Sequence, residues 1–311
     1  MVRIAIPAVL NGVPFGPSDA AEAGIGRGRL RGADVDHPHH GVYSHGVDLT
    51  DLRERCAVLA PSLGEREWFS HATAARLWGI PLPRSETRDE RLHVTSVGSD
   101  DRMRRVAVRG WRVLEQPPNV AVADGLPLIS PADLWAQLSI RGAVWDHTML
   151  DARWLTAIGD FLVSGARTSR GRSDPLCTMS DLRTAAMRHR GKRGAKNLGL
   201  ALPQIRRPVD SVKETFLRLG LVECGLPEPA VQVEVMTTAG LRHADLGYPH
   251  AGVLLEYQGD VHRTSRRRWL EDLTRVQLLE DAGYRVMLVG DADIAPDCRA
   301  LAARVRRALV I

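Results

Sequence analysis

Between residues 208 and 257 the spacing of apolar positions changes twice. Val212, Phe216, Leu217, Leu219 and Leu221 recur at helical spacing, after Asp210 or Ser211 as a cap and before Gly225 and Pro227. This predicts a helix with Glu214 in its first turn. Val231 to Met236 and Leu241 to Leu246 follow, separated by Thr238-Ala239-Gly240, and together they predict a β-hairpin. Val253-Leu254-Leu255-Glu256-Tyr257 is apolar on both faces until its end, as in a central strand, and then carries an acid.

Upstream, Ser18 to Ala23 predicts a short helix, with Arg27 to Arg31 as the start of a second after Gly24 and Gly26; the extended Gly41 to Ser44 follows. Two short helices around a glycine turn and then an extended segment are compatible with a small helix-turn-helix and its wing. Helices are predicted from Leu49 to Leu59 and from Ser70 to Trp78. Short β-branched segments at 93–97, 105–109 and 111–114 predict a small sheet, with a helix from Ser130 to Leu138 behind it. Leu150 to Val163 is again helical in pattern, and Ser164 to Ser173 reads as an exposed basic loop with a domain boundary nearby.

A chain of 311 residues is longer than one core usually grows, so two domains are expected. Hydrophobic residues at 44% and charged residues at 25% suit a globular protein, and no apolar run approaches the roughly 20 residues of a membrane span. The apolar opening segment contains Arg3 and Pro7 and is followed by no cleavage signature, so a cytoplasmic protein without a membrane partner is expected. Cys56, Cys177, Cys224 and Cys298 lie far apart, which predicts reduced, structural thiols. The formal net charge of +5 suits a polyanion partner, and its distribution is more telling. Arg188, Arg190, Lys192, Arg193 and Lys196 fall in a stretch without acids directly before the acid-bearing strands, where they either form a solvated linker or touch a DNA backbone. His37, His39, His40 and His45 have neither cysteine nor carboxylate to close a metal site, and no phosphate-binding glycine loop is present.

A carboxylate after a buried strand is costly without partners, and metal coordination supplies one reason for it. Asp245 and Glu256, near the ends of neighbouring strands, can converge with Glu214 from the helix. Such carboxylates would bind Mg²⁺, or Mn²⁺, and so polarise a phosphodiester and activate water. Gln258, two residues beyond Glu256, falls on the same side and could orient that water. Each acid also has a plainer use: Asp245 as a turn residue, Glu256 as an arginine partner, Glu214 as a favourable charge at a helix start.

Ser211-x-x-Glu214, Gly225-Leu226-Pro227-x-Pro229, Asp245-Leu246-x-Tyr248-Pro249, Glu256-Tyr257-x-Gly259-x-x-His262, Asp272-x-x-Arg275 and Gly283-Tyr284-Arg285-Val286 occur in an order that resembles the restriction-endonuclease-like, or PD-(D/E)XK, domains related to very-short-patch-repair endonucleases. The resemblance implies an α/β domain with a mixed central sheet over 208–311. It implies that Asp245 and Glu256 bind the metal, that Glu214 supports the metal or water, that the Tyr257 carbonyl completes the coordination, and that His262 is an acid, base or phosphate contact. The superfamily usually carries lysine where Gln258 stands. Arg275 is expected to pair with Asp272 one turn away. Arg266, Arg267 and Arg268 beside Trp269 form a second basic cluster, either a phosphate-contact face or a solvated helix start.

Gly24-Ile25-Gly26-x-Gly28-Arg29-Leu30-Arg31, Pro38-His39-His40-Gly41-Val42-Tyr43 and Ser70-His71-x-Thr73-Ala74-Ala75-x-Leu77-Trp78-Gly79 resemble AbiEi-like proteins of type IV toxin–antitoxin systems. This implies an α+β N-terminal half: a degenerate winged-helix-like head over 1–48 and an AbiEi-like domain over 49–165, with a basic linker over 166–207. The expected activity is metal-dependent hydrolysis of DNA in repair or defence. The alternatives are a non-catalytic DNA-binding regulator or antitoxin with a cognate toxin as partner, and an RNA-processing nuclease.

Overall fold

The computed structural model describes residues 4–84, 90–98, 103–114, 116–144, 148–168, 171–259 and 266–309, the side chains of 266–272 excepted. The chain divides into two units, Met1–Met149 and Leu150–Ile311. Both mix helices and sheets.

The first unit opens with the helix α1 (Pro17–Glu22), where Asp19 accepts the Gly16 N–H at 2.7 Å. The expected second helix is a single 3-10 turn, Arg29–Arg31, because Gly28 and Gly32 bracket it. The hairpin β1 (Asp36–His39) and β2 (Val42–Ser44) follows, and Leu10, Phe15, Ala20, Ile25, Leu30 and Val35 close a small core beneath. Two of the four histidines lie against backbone carbonyls: His37 Nε2 is 2.8 Å from Leu30 O and His45 Nδ1 2.6 Å from Asp34 O.

Next come α2 (Leu52–Leu59), capped by Asp51, then β3 (Glu67–Phe69) and α3 (His71–Leu77). The strands β4 (Leu92–Val97), β5 (Val108–Val113), β6 (Val120–Ala123) and β7 (Leu126–Ile129) complete a five-stranded mixed sheet in the order β5-β4-β3-β7-β6. The two segments expected at 105–109 and 111–114 are one strand. Ala107 has φ 60°, which breaks extended backbone before Val108, and Gly110 continues through because any Cβ there would lie 2.2 Å from Met103 O. Phe69, Leu92, Val94 and Leu128 from the sheet meet Cys56 and Leu59 from α2. The unit's last helix is α4 (Pro131–Leu138).

The second unit begins with α5 (Ala152–Ser164), capped by Asp151. The boundary is therefore at 149/150 rather than near 165, because α5 packs on residues downstream of it. The span expected to be a linker is also structured. It holds the two-rung hairpin β8 (Arg167–Thr168) and β9 (Gly171–Arg172), then α6 (Met179–Arg188) and α7 (Ala195–Ala201). Thr178 and Asp181 form a capping box at the start of α6, a signal that the basic composition downstream obscures.

The helix α8 (Val212–Glu223) starts at Ser211, whose hydroxyl accepts the Glu214 N–H at 3.2 Å. The strands β10 (Ala230–Thr237), β11 (Gly240–Tyr248) and β12 (Val253–Tyr257) follow as expected from the sequence. After α9 (Arg266–Asp281), the strand β13 (Arg285–Val289) joins β12 in parallel, giving a mixed sheet in the order β10-β11-β12-β13 with β12 inside. The helices α10 (Asp291–Ile294) and α11 (Arg299–Ala308) end the described fold. Leu217 and Leu221 of α8 and Leu301 and Val305 of α11 pack with Leu246, Leu255, Met287 and Val289 on one face; Leu279 of α9 packs with Val233, Val235, Ala244 and Leu254 on the other. All four cysteines are free thiols. Among the described residues no helix is long and apolar enough to cross a membrane.

Candidate active site

Three strands place polar side chains on one rung of the second sheet. The pairs Val231↔Leu246 and Val233↔Ala244 put Gln232 across from Asp245, and one step beyond Leu246↔Leu255 puts Asp245 across from Glu256. Ordinary alternation would send Val231 and Val233 to the same face, and Ala244 and Leu246 likewise. Instead Val231 and Leu246 pack on the α8 side while Val233 and Ala244 pack on the α9 side. Gln232 has φ 47°, a left-handed conformation that is uncommon for a non-glycine residue. The hairpin thus exchanges its faces at the Gln232–Asp245 rung, and helices on opposite sides of the sheet can reach the same group.

From the α8 side comes Glu214, 5% exposed, whose Oε2 accepts the Asp210 N–H at 3.1 Å and Gln232 Nε2 at 3.0 Å. From the α9 side comes Arg275. Its Nη2 lies 2.9 Å from Glu256 Oε2, 3.1 Å from Glu256 Oε1 and 3.6 Å from Asp245 Oδ1, and it donates to His243 O at 2.7 Å. Asp245 Oδ2 in turn accepts the Tyr257 N–H at 2.8 Å. Arg275 reaches across the sheet to the two acids, while the Asp272 side chain expected to pair with it lies outside the described residues.

The electrostatics of this group are set by burial and crowding. Burial first, and then the Asp245 charge, push Glu214 up to about 8. The same two causes push Glu256 to about 8, with Arg275 opposing them. Burial also raises Asp245, against the Tyr257 N–H and Arg275. Arg275 faces two of these three mutually repelling carboxylates and Arg167 also acts on Asp245, yet burial still holds all three up, so the site favours added positive charge.

The residues expected at this site are distributed as follows. Glu214, Asp245, Glu256 and Tyr257 come together. Among the described residues no three acidic, histidine or cysteine side chains are drawn tightly enough to form a closed metal-ligand set. Hard oxygen donors with Arg275 between two of them nevertheless suit a divalent ion, because Mg²⁺ commonly takes only one or two carboxylates and keeps its waters. Gln258 follows Tyr257 at the end of β12, its N–H bonded to Val289 O at 2.7 Å. His262 lies outside the described residues, and so do the side chains of Arg266, Arg267 and Arg268 in the first turn of α9. Arg190, Lys192, Arg193 and Lys196 are exposed in and after the turn between α6 and α7, while Arg188, at the end of α6, is half-buried.

Sequence reasoning passed over a layer behind Glu214. Gln232 Oε1 accepts from Arg167 Nη2, and Asp210 holds Arg167 Nε at 2.6 Å as well as the Arg172 guanidinium. On the far side, Tyr257 donates its hydroxyl to Asp291 at 2.7 Å, and Asp291 pairs with Lys213. Only the register placing Gln232 opposite Asp245 could have pointed to it in advance.

No family model matches the chain. Two uncharacterized proteins of Mycobacterium tuberculosis, from strains H37Rv and CDC 1551 / Oshkosh, are each 27% identical to it over 134 residues, or 43% of this chain. The matched segment covers 49% of each relative, so the chain spans about half the length of these curated proteins.

Proposed function

We propose that this protein is a restriction-endonuclease-like, PD-(D/E)XK-type DNA endonuclease that uses Mg²⁺ or Mn²⁺, its second unit carrying the chemistry. The observation that carries this reading is the meeting of Glu214, Asp245 and Glu256, from three separate elements, with Arg275 on the latter two. Asp245 and Glu256, with the Tyr257 carbonyl, would hold the ion. When bound, the ion polarises the phosphodiester and lowers the pKa of water. Glu214, buried beside Asp245, would be the group that takes the proton of the attacking water once added positive charge at the site has brought its raised pKa down and left it ionised. Gln258 orients that water and His262 serves as acid, base or phosphate contact. Arg275, held on Glu256 and Asp245, would supply positive charge to a site where the superfamily usually uses lysine.

The exposed cations of the α6–α7 turn, with Arg188, Arg266, Arg267 and Arg268, contact the DNA backbone in this reading. The first unit, an AbiEi-like domain behind a winged-helix-like head, positions the duplex, and the protein acts in the cytoplasm in repair or defence. A second reading, a non-catalytic DNA-binding regulator or antitoxin with a cognate toxin, draws on Gln258 in place of lysine and on Arg275 closed over both acids.

Purified protein incubated with supercoiled plasmid, single-stranded DNA or RNA in Mn²⁺ should nick the plasmid, and chelator should stop it. Asp245→Asn and Glu256→Gln should each lower the rate at least about 100-fold, the scale of losing an electrostatic catalytic group. Nicking that survives both substitutions removes the site from the mechanism. Tight plasmid binding without cleavage supports the regulator, and cleavage confined to RNA reassigns the substrate.

A further inference from the structure

Resting on the endonuclease reading, we propose that the β8–β9 hairpin is a phosphate clamp: Arg167 and Arg172, stored on Asp210, transfer to a DNA backbone phosphate beside the acidic rung. The two arginines face each other across the hairpin, in the register Arg167↔Arg172. Both reach the same carboxylate, Arg167 through Nε to Asp210 Oδ2 and Arg172 through Nη2 to Asp210 Oδ1. A pair of arginines on one aspartate leaves a net positive charge, and the Arg167 side chain is 48% exposed, so the cation is open to solvent. Its other donor goes to Gln232, whose amide bonds Glu214. The clamp is therefore joined by two hydrogen bonds to the group that would accept the water's proton.

Geometry and chemistry make a phosphodiester a competent rival to Asp210. Guanidinium groups recognise phosphate and carboxylate with the same two-pronged geometry, and a phosphate presents oxygens to both arginines at once. Gln258 brings no charge to the site, and Arg275 is committed to Glu256 and Asp245. Arg167 is the cation best placed to neutralise a phosphate approaching from the Gln232 side. Asp210 precedes the cap residue Ser211, and its own N–H is bonded to Glu214, so the storage site stays fixed while the arginines move.

The test is binding of a fluorescent 20-base-pair duplex by full-length protein carrying Glu256→Gln, in Ca²⁺, over a series of salt concentrations, with thermal midpoints recorded in parallel. Arg167→Ala should weaken binding about tenfold and reduce the slope of log affinity against log salt by about 1, the signature of one lost phosphate contact. Arg167→Lys should keep the slope and recover part of the affinity. Asp210→Asn, which releases both arginines, should tighten binding several-fold. A merely structural Arg167 would lower the thermal midpoint without changing the slope. Unchanged slope and affinity in Arg167→Ala, with the parent binding well, overturn the clamp and leave the endonuclease reading standing. If the parent does not bind duplex at all, both fall.

Discussion

Glu214 and Glu256 bind their protons more tightly in the folded chain than an ordinary glutamate does, titrating near 8 instead of 4.5. Below about pH 4.5 both states are protonated and the shift has no effect on stability. As the pH rises toward 8 the unfolded glutamate is already charged while the folded one resists, so folding becomes less favourable across that window, and above 8 the whole penalty is present. In chelator the thermal midpoint should therefore fall between pH 5 and pH 8.5, Glu256→Gln should flatten the fall, and millimolar Mg²⁺ should reverse it. A wild-type curve that is level over this range would show that the acids are better neutralised than Arg275 alone allows. Arg275→Met should steepen the fall, since it removes the cation that, among the described residues, touches both acids.

At the scale of elements, α5 is tied to α8 by buried charge. Asp160 and Arg218, each 1% exposed at the side chain, meet at 2.8 Å; Thr215 donates to Asp160 at 2.7 Å and Arg218 also reaches Glu228 at 2.8 Å. Breaking such a pair leaves a charge without its counterion, so Asp160→Ala should cost about 3–5 kcal/mol in urea denaturation. A loss below about 1 kcal/mol would mean that water or Glu228 takes over. This tie also explains what could be read from sequence. The helix with Glu214 and the strands with Asp245 and Glu256 were legible because their caps, turns and alternation are local. The helices of 166–207 were hidden by basic residues that suggest a linker, although Thr178 and Asp181 announce α6. The reach of Arg275 to Asp245 and Glu256 was not legible, because acids brought close only by sheet pairing leave no local signal. The face exchange depends on a positive φ at Gln232, which no residue preference signals.

At the scale of the molecule, the second unit holds its own hydrophobic layers on both sides of a four-stranded sheet. A fragment of residues 150–311 should fold with cooperative denaturant unfolding. One beginning at 208 should not, because α8 would lose α5 as cover and the face that carries Thr215 and Arg218 would be opened to water. Comparison of the two by circular dichroism and urea titration checks this, and a cooperative 208–311 fragment would make the upstream helices dispensable.

The chain leaves this unit's framework at Ser164 and returns at Val209, whose N–H donates to the Ser164 hydroxyl at 2.9 Å. Everything between them, the arginine hairpin and the basic turn included, is a detour with adjoining ends. Its helical part is built into the unit, since α7 packs on α5 and Arg206 donates its backbone N–H to Asp160 at 2.7 Å. The arginine hairpin at its start reaches the rest through the Asp210 and Gln232 side chains, so a descendant can change that hairpin with the acidic rung still in register. The arginine pair and the acidic rung can then diverge at different rates.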